Sequence, residues 1–227
     1  MSGVDAVLTD LLKQIAASFK YNLQVLPDTM LAATFLFSLL FQSIAMITLF
    51  VCLIVHVGVH KVFAGFLARN VEGVRRPSSA GKCTGTFPGS SYLRAAAMSS
   101  GNYDMTDSGW PSYYASFMGF LMAYFASLTF IYANELKASP QRRVLTQGGL
   151  VVAGIVLAMC VVYRLSSGCD DVIGIAVGLG IGGLLGAVLS HVLAYASDRS
   201  LTNMLSLPLL TSTAVDGRPL YVCAPAS

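Results

Sequence analysis

The stretch DVIGIAVGLGIGGLLGAVLSHVLAYA, residues 171–196, has no charged side chain after Asp171 and decides the fold class. About 20 apolar residues in helical form cross a hydrocarbon core roughly 30 Å thick, so this segment reads as a membrane span. Within it Gly174, Gly178, Gly182 and Gly186 recur at every fourth position. That spacing lays a groove along one helix face, which lets a second helix approach closely in a bilayer. A nucleotide-binding loop is excluded, because no strand precedes the glycines and their setting is a span.

Three further apolar stretches lie upstream: Leu31 to about Ala68, Ser112 to Ala133, and Leu145 to Arg164. The first would be roughly 55 Å of helix at 1.5 Å per residue, far more than one crossing needs. It is therefore either one long tilted helix that emerges from the bilayer or two helices broken near Gln42-Ser43. Val4, Val7, Leu8, Leu11, Leu12, Ile15 and Phe19 recur at three-to-four-residue intervals with Asp10, Lys13 and Lys20 between them, the pattern of an amphipathic helix. The expected fold is all-α: a polytopic transmembrane helical bundle with about four spans and an N-terminal amphipathic helix. It divides into an amphipathic segment 1–30, a core 31–200 with a long loop 69–111, and an exposed tail 201–227. Residues 134–147 read as a short positive link, and Gly217 to Cys223 as a strand that pairs with a neighbour.

Composition agrees. Of 227 residues 55% are hydrophobic and 11% charged, against about 25% charged in soluble domains, so the chain is an integral, multi-pass membrane protein. The net charge of +3 comes from scattered residues, which gives no reason to expect a nucleic-acid partner. Asp5, Asp10, Lys13, Lys20 and Asp28 interrupt the first thirty residues, so no cleavable signal is expected. Five cysteines without a CxxC spacing argue against a zinc site. Free thiols are the expectation, with a Cys83–Cys169 bridge as the alternative.

Four spans put loop 69–111 and the turn from Arg164 to Asp171 on one side of the membrane, and both termini with the 134–147 link on the other. Lys and Arg divide evenly between the two sides, so the positive-inside rule selects no orientation. On the first side Arg69 and Arg76 stand seven residues apart, two turns of one helix face, ahead of Pro77. Paired guanidiniums suit phosphate oxygens, although arginines also mark membrane boundaries. Trp110-Pro111-Ser112-Tyr113-Tyr114 opens the second span, where Ser112 and exposed amides can hold an anion and the aromatic rings can form an interfacial belt. Asp170 and Asp171 stand at a helix N-terminus, a favourable place for a capping carboxylate.

The order and spacing of these pieces resemble the type 2 phosphatidic acid phosphatase superfamily, most like its dolichyl-diphosphate phosphatases. That family's signatures read K-x6-RP, PSGH and SR-x5-H-x3-D. The first is similar to Arg69-x6-Arg76-Pro77, the second to Pro111-Ser112-Tyr113-Tyr114, and the third to Asp171-Val172 with the glycines after it. The resemblance covers about residues 45–190. It implies a vestigial site for phosphate or a lipid headgroup built from Arg69, Arg76, Ser112, Tyr114, Arg164 and Asp171, with Arg75 as a helper.

The departures from the pattern bear on activity. Tyr114 stands at the family's acid histidine and Ser167 at its nucleophilic histidine. Val161 stands at its arginine, with Arg164 three residues out of register. Loss of both imidazoles removes nucleophile and leaving-group acid together. His191 lies about 30 Å along its helix from Asp171, and His60 about 13 Å below Arg69, so neither is expected to reach the site. Cys169 beside two acids is a poor nucleophile.

The resemblance thus implies a catalytically inactive, phosphatase-like membrane protein with no catalytic residue, cofactor or metal. It would act as a structural or lipid-headgroup-binding subunit. A buried arginine in the vacated site would still require an anion or a carboxylate, with Asp171 as cap or partner. Expected partners are membrane lipids, including phospholipid or isoprenyl-phosphate headgroups, and other subunits met through the N-terminal helix and the tail. Two other readings fit the same residues: an active lipid phosphate or diphosphate phosphatase with altered catalytic groups, and a membrane-anchored assembly protein of a virion inner membrane or organellar complex.

Overall fold

The computed structural model describes residues 2–70, 110–196, 199–204, 210–213 and 219–221. Helix α1 runs from Ser2 to Phe41, α2 from Ile44 to Asn70, α3 from Tyr113 to Ile131, α4 from Ala133 to Ala138, α5 from Pro140 to Ser166, and α6 from Val172 to Ala196. A 3-10 turn, Arg199–Thr202, follows α6. Among the described residues four segments are long and apolar enough to cross a membrane: Ile44–Leu67, Tyr113–Ile131, Pro140–Ser166 and Val172–Tyr195. The fold is the expected all-helical bundle.

The first apolar stretch is two helices, not one. Gln42 adopts φ 46°, a left-handed conformation that an α-helix cannot contain, and the chain restarts where the Ser43 carbonyl accepts the amides of Met46 and Ile47 at 3.0 Å. What precedes the break joins the N-terminal segment in a single helix that passes through the buried Pro27. Its apolar part, Leu26–Phe41, is too short to span. It packs against α2, with the Phe35 and Phe50 rings 5.1 Å apart.

The expected positive link over 134–147 is also different. Helix α4 takes up 134–138 and α5 the rest from Pro140, so Arg142 and Arg143 belong to the first turns of a span. Proline is favoured at that place because its missing N–H has no intrahelical acceptor there.

Helix α3 is the axis of the bundle. Its apolar window is 61% buried against 6% for α5, which therefore stands at the lipid-facing perimeter. Phe117, Phe120 and Tyr124 are fully buried and pack with Leu49 and Leu53 of α2 in one core. Val151, Val152, Ile155 and Val162 of α5 and Leu184, Val188 and Val192 of α6 point outward, as lipid-facing side chains do. In the tail, Pro219–Tyr221 pairs antiparallel with Leu210–Thr213, so the expected strand finds its partner within its own chain.

Candidate functional site

A polar cluster occupies the end of the bundle where α3 and α6 begin and α5 ends. Its local cause is the way α5 stops. Gly168, at φ +66°, follows the capping residue Ser167; its amide bonds the Leu165 carbonyl at 3.1 Å, and the Cys169 amide bonds the Arg164 carbonyl at 3.0 Å. These two bonds make a Schellman motif, which reverses the chain and returns the next residue toward the helix it has left. That residue is Asp170.

Arg164 and Asp170 form a two-pronged ion pair, Nε to Oδ2 at 2.7 Å and Nη2 to Oδ1 at 3.1 Å. Their side chains are 9% and 4% exposed. The Ser112 hydroxyl donates to the same Oδ2 at 2.7 Å, and Ser112 Oγ in turn accepts the Ala115 amide at 3.3 Å as the cap of α3. The Ser112 amide bonds the Gly174 carbonyl at 3.0 Å, tying the start of α3 to the start of α6. The guanidinium lies over the Tyr114 ring, 5.2 Å from its centroid, within cation–π range.

Asp171 caps α6 by accepting the Gly174 amide at 3.0 Å. The carboxylate that neutralises the arginine is thus Asp170 rather than Asp171. The sequence contains the signal for this, a glycine just past a helix C-terminus, which places the residue two positions on back over the last turn.

The glycine ladder runs along the α3 contact. A Cβ at Gly178, Gly182 or Gly186 would meet the carbonyl oxygen of Ser112, Ser116 or Phe120, and one at Gly174 would meet the Asp171 carboxylate. Gly119 answers from α3, where an added Cβ would lie 2.9 Å from the Leu179 oxygen. The two backbones touch because neither carries a side chain between them.

Two imidazoles lie against the Trp110–Ser116 segment, at Ser116 and Tyr113, while Arg164 and Ser112 are bonded to Asp170 instead. His56 Nε2 is 2.9 Å from Ser116 Oγ, and His60 packs on the Tyr113 ring at 5.4 Å with its imidazole toward the Pro111 carbonyl. The axial distance from Arg69 misleads here, because α3 begins beside the middle of α2 rather than at its end. His56 and Ser116 are fully buried, and Nδ1 of both histidines has no hydrogen-bond partner among the described residues. Among the described residues no third group orients the His56 ring, and the pair is fully buried.

Of the remaining residues singled out in the sequence, Arg75, Arg76 and Pro77 lie outside the described residues, and of Arg69 the backbone alone is described. Ser112, Tyr114 and Arg164 line a common cavity of about 10 Å³, no larger than a single water requires. Cys169 is disulfide-bonded, a correction to the expectation of free thiols, and its partner lies outside the described residues. Cys52 and Cys160 are free and buried. Among the described residues no group of three or more His, Cys, Asp or Glu side chains could hold a metal ion.

No protein-family model, curated protein or solved structure matches this chain.

Proposed function

We propose that the chain is a non-catalytic multi-pass membrane protein that serves as a structural subunit, on a core of phosphatase-like ancestry whose chemistry has been lost. The observation that carries this reading is the saturation of the polar cluster from within. Arg164 is held by Asp170, Asp170 also accepts from Ser112, and the cavity beside them cannot admit a phosphate group. Anion affinity on this side would have to come from basic residues outside the cluster, such as the arginines before Pro77. Affinity alone, without a nucleophile or acid, does not accelerate phosphoryl transfer.

Two measurements test the reading. Purified protein in detergent, incubated with phosphatidate or an isoprenyl diphosphate, is expected to release no phosphate above background; release that Arg76→Ala abolishes would establish an enzyme instead. Native electrophoresis of gently solubilised membranes is expected to show the chain in an assembly well above its own 24.0 kDa, and loss of that assembly on deletion of residues 201–227 would identify the tail as the contact. Migration as a lone subunit in every mild detergent contradicts a structural role.

A further inference from the structure

Helices α1 and α2 form an antiparallel pair about the break at Gln42. Near the break, Phe35 of α1 faces Phe50 of α2 with ring centroids 5.1 Å apart. Farther from it, Leu26 and Leu31 pack against the buried core, and the backbone of Leu26 lies beside the Tyr114 hydroxyl. Tyr114 belongs to the polar cluster, since its ring carries the Arg164 guanidinium. One end of Leu26–Phe41 is therefore at the polar cluster and the other at the start of α2, about 24 Å away at 1.5 Å per residue.

The polarity of this segment is inside out. Phe35, Leu36, Phe37, Leu39, Leu40 and Phe41 point outward, whereas Thr34 and Ser38 are buried and bond the Met30 and Phe35 carbonyls of their own helix at 2.7 and 2.6 Å. A helix in water turns hydrocarbon inward; the reverse arrangement suits a hydrocarbon solvent, where each polar group must find its partner within the protein. Leu26–Phe41 falls short of a crossing by itself, yet the helix continues unbroken to Ser2, and Tyr21–Phe41 holds a single charged residue, Asp28. That longer stretch reaches about 31 Å, the thickness of a hydrocarbon core. Before it the surroundings change, because every side chain described between Thr9 and Asn22 is exposed, Asp10 and Lys13 among them.

We propose that α1 is a fifth membrane crossing, antiparallel to α2, and that the helical segment before Tyr21 stands in water on the face that bears Asp170, opposite α4. The expectation that both termini share a side came from counting four spans. With five, a partner met through the N-terminal helix and one met through the tail lie on opposite sides of the membrane. The placement of α1 carries this without the function proposed above.

The test uses the full chain in sealed microsomes, with one epitope tag at a time placed before Ser2, between residues 71 and 109, or after Ser227, and protease added from outside. The tag before Ser2 is expected to share the fate of the tag in 71–109, either loss or protection, while the tag after Ser227 shows the opposite one. This pairing holds whichever way the chain is oriented. A tag before Ser2 that behaves like the one after Ser227 overturns the proposal and returns the N-terminal segment to the side of α4. If a tag in 71–109 prevents the protein from accumulating, the other two decide alone: opposite fates support the fifth crossing and equal fates sink it.

Discussion

At the scale of single residues, the ion pair of Arg164 and Asp170 dominates. Each side chain is almost wholly withdrawn from water, so removing one partner leaves a buried charge with nothing to neutralise it. Such deletions cost about 3–5 kcal/mol, whereas replacing both partners by apolar groups of similar volume is near neutral. Arg164→Leu and Asp170→Leu are therefore each expected to lower the melting temperature sharply in detergent, and the double variant Arg164→Met with Asp170→Leu to recover most of the loss. Ser112→Ala removes both a bond to Asp170 and the cap of α3 and should cost about 0.5–2 kcal/mol. Trp110, the single tryptophan of the chain, lies against the start of α6 and its fluorescence reports these melts. Single variants as stable as the wild-type chain would show that the pair contributes nothing.

At the scale of elements, the contact of α3 with α6 rests on missing side chains. Gly182→Ala inserts a methyl against the Ser116 carbonyl, and overpacking of this kind costs about 1–3 kcal/mol. Gly180 lies on the same helix with nothing within 4 Å of an added Cβ, so Gly180→Ala should leave stability unchanged or raise it by up to about 1 kcal/mol through helix propensity. Thermal unfolding of the two variants side by side checks the contrast; equal effects would mean that the ladder does not form the contact. The break between α1 and α2 yields to the same logic. Gln42 bears a left-handed backbone with a Cβ, and Gln42→Gly is expected to stabilise the protein by about 1 kcal/mol, measured in the same melts.

At the scale of the whole molecule, crossing by the four apolar helices would put the α5–α6 turn on one side of the membrane and α4 on the other. Lys and Arg do not orient such a chain when they divide evenly, but the disulfide of Cys169 does. Disulfides form and persist in oxidising compartments, so the face bearing Asp170 is expected to look away from the cytosol and the tail toward it. In microsomes, a glycosylation acceptor inserted between residues 71 and 109 should be modified and one appended after Ser227 should not. The opposite pattern would reverse the orientation.

Length and apolar content made the bundle and its spans legible in the sequence, because a helix must satisfy its own backbone groups in hydrocarbon and needs a set number of residues to cross it. The four-residue glycine period likewise marked a face of close contact, although the sequence did not say that α3 fills it. The pairing partner of Arg164 is encoded locally, by Gly168, which turns Asp170 back toward α5 and leaves Asp171 to cap α6. His56 and His60 could not be placed from one helix alone, since their nearness to Tyr113 and Ser116 depends on where α3 crosses α2. A cavity of about 320 Å³ between α3, α5 and the 199–204 turn has no sequence signal at all. A cavity is the volume that three separately encoded elements fail to fill, and that is settled only when they pack.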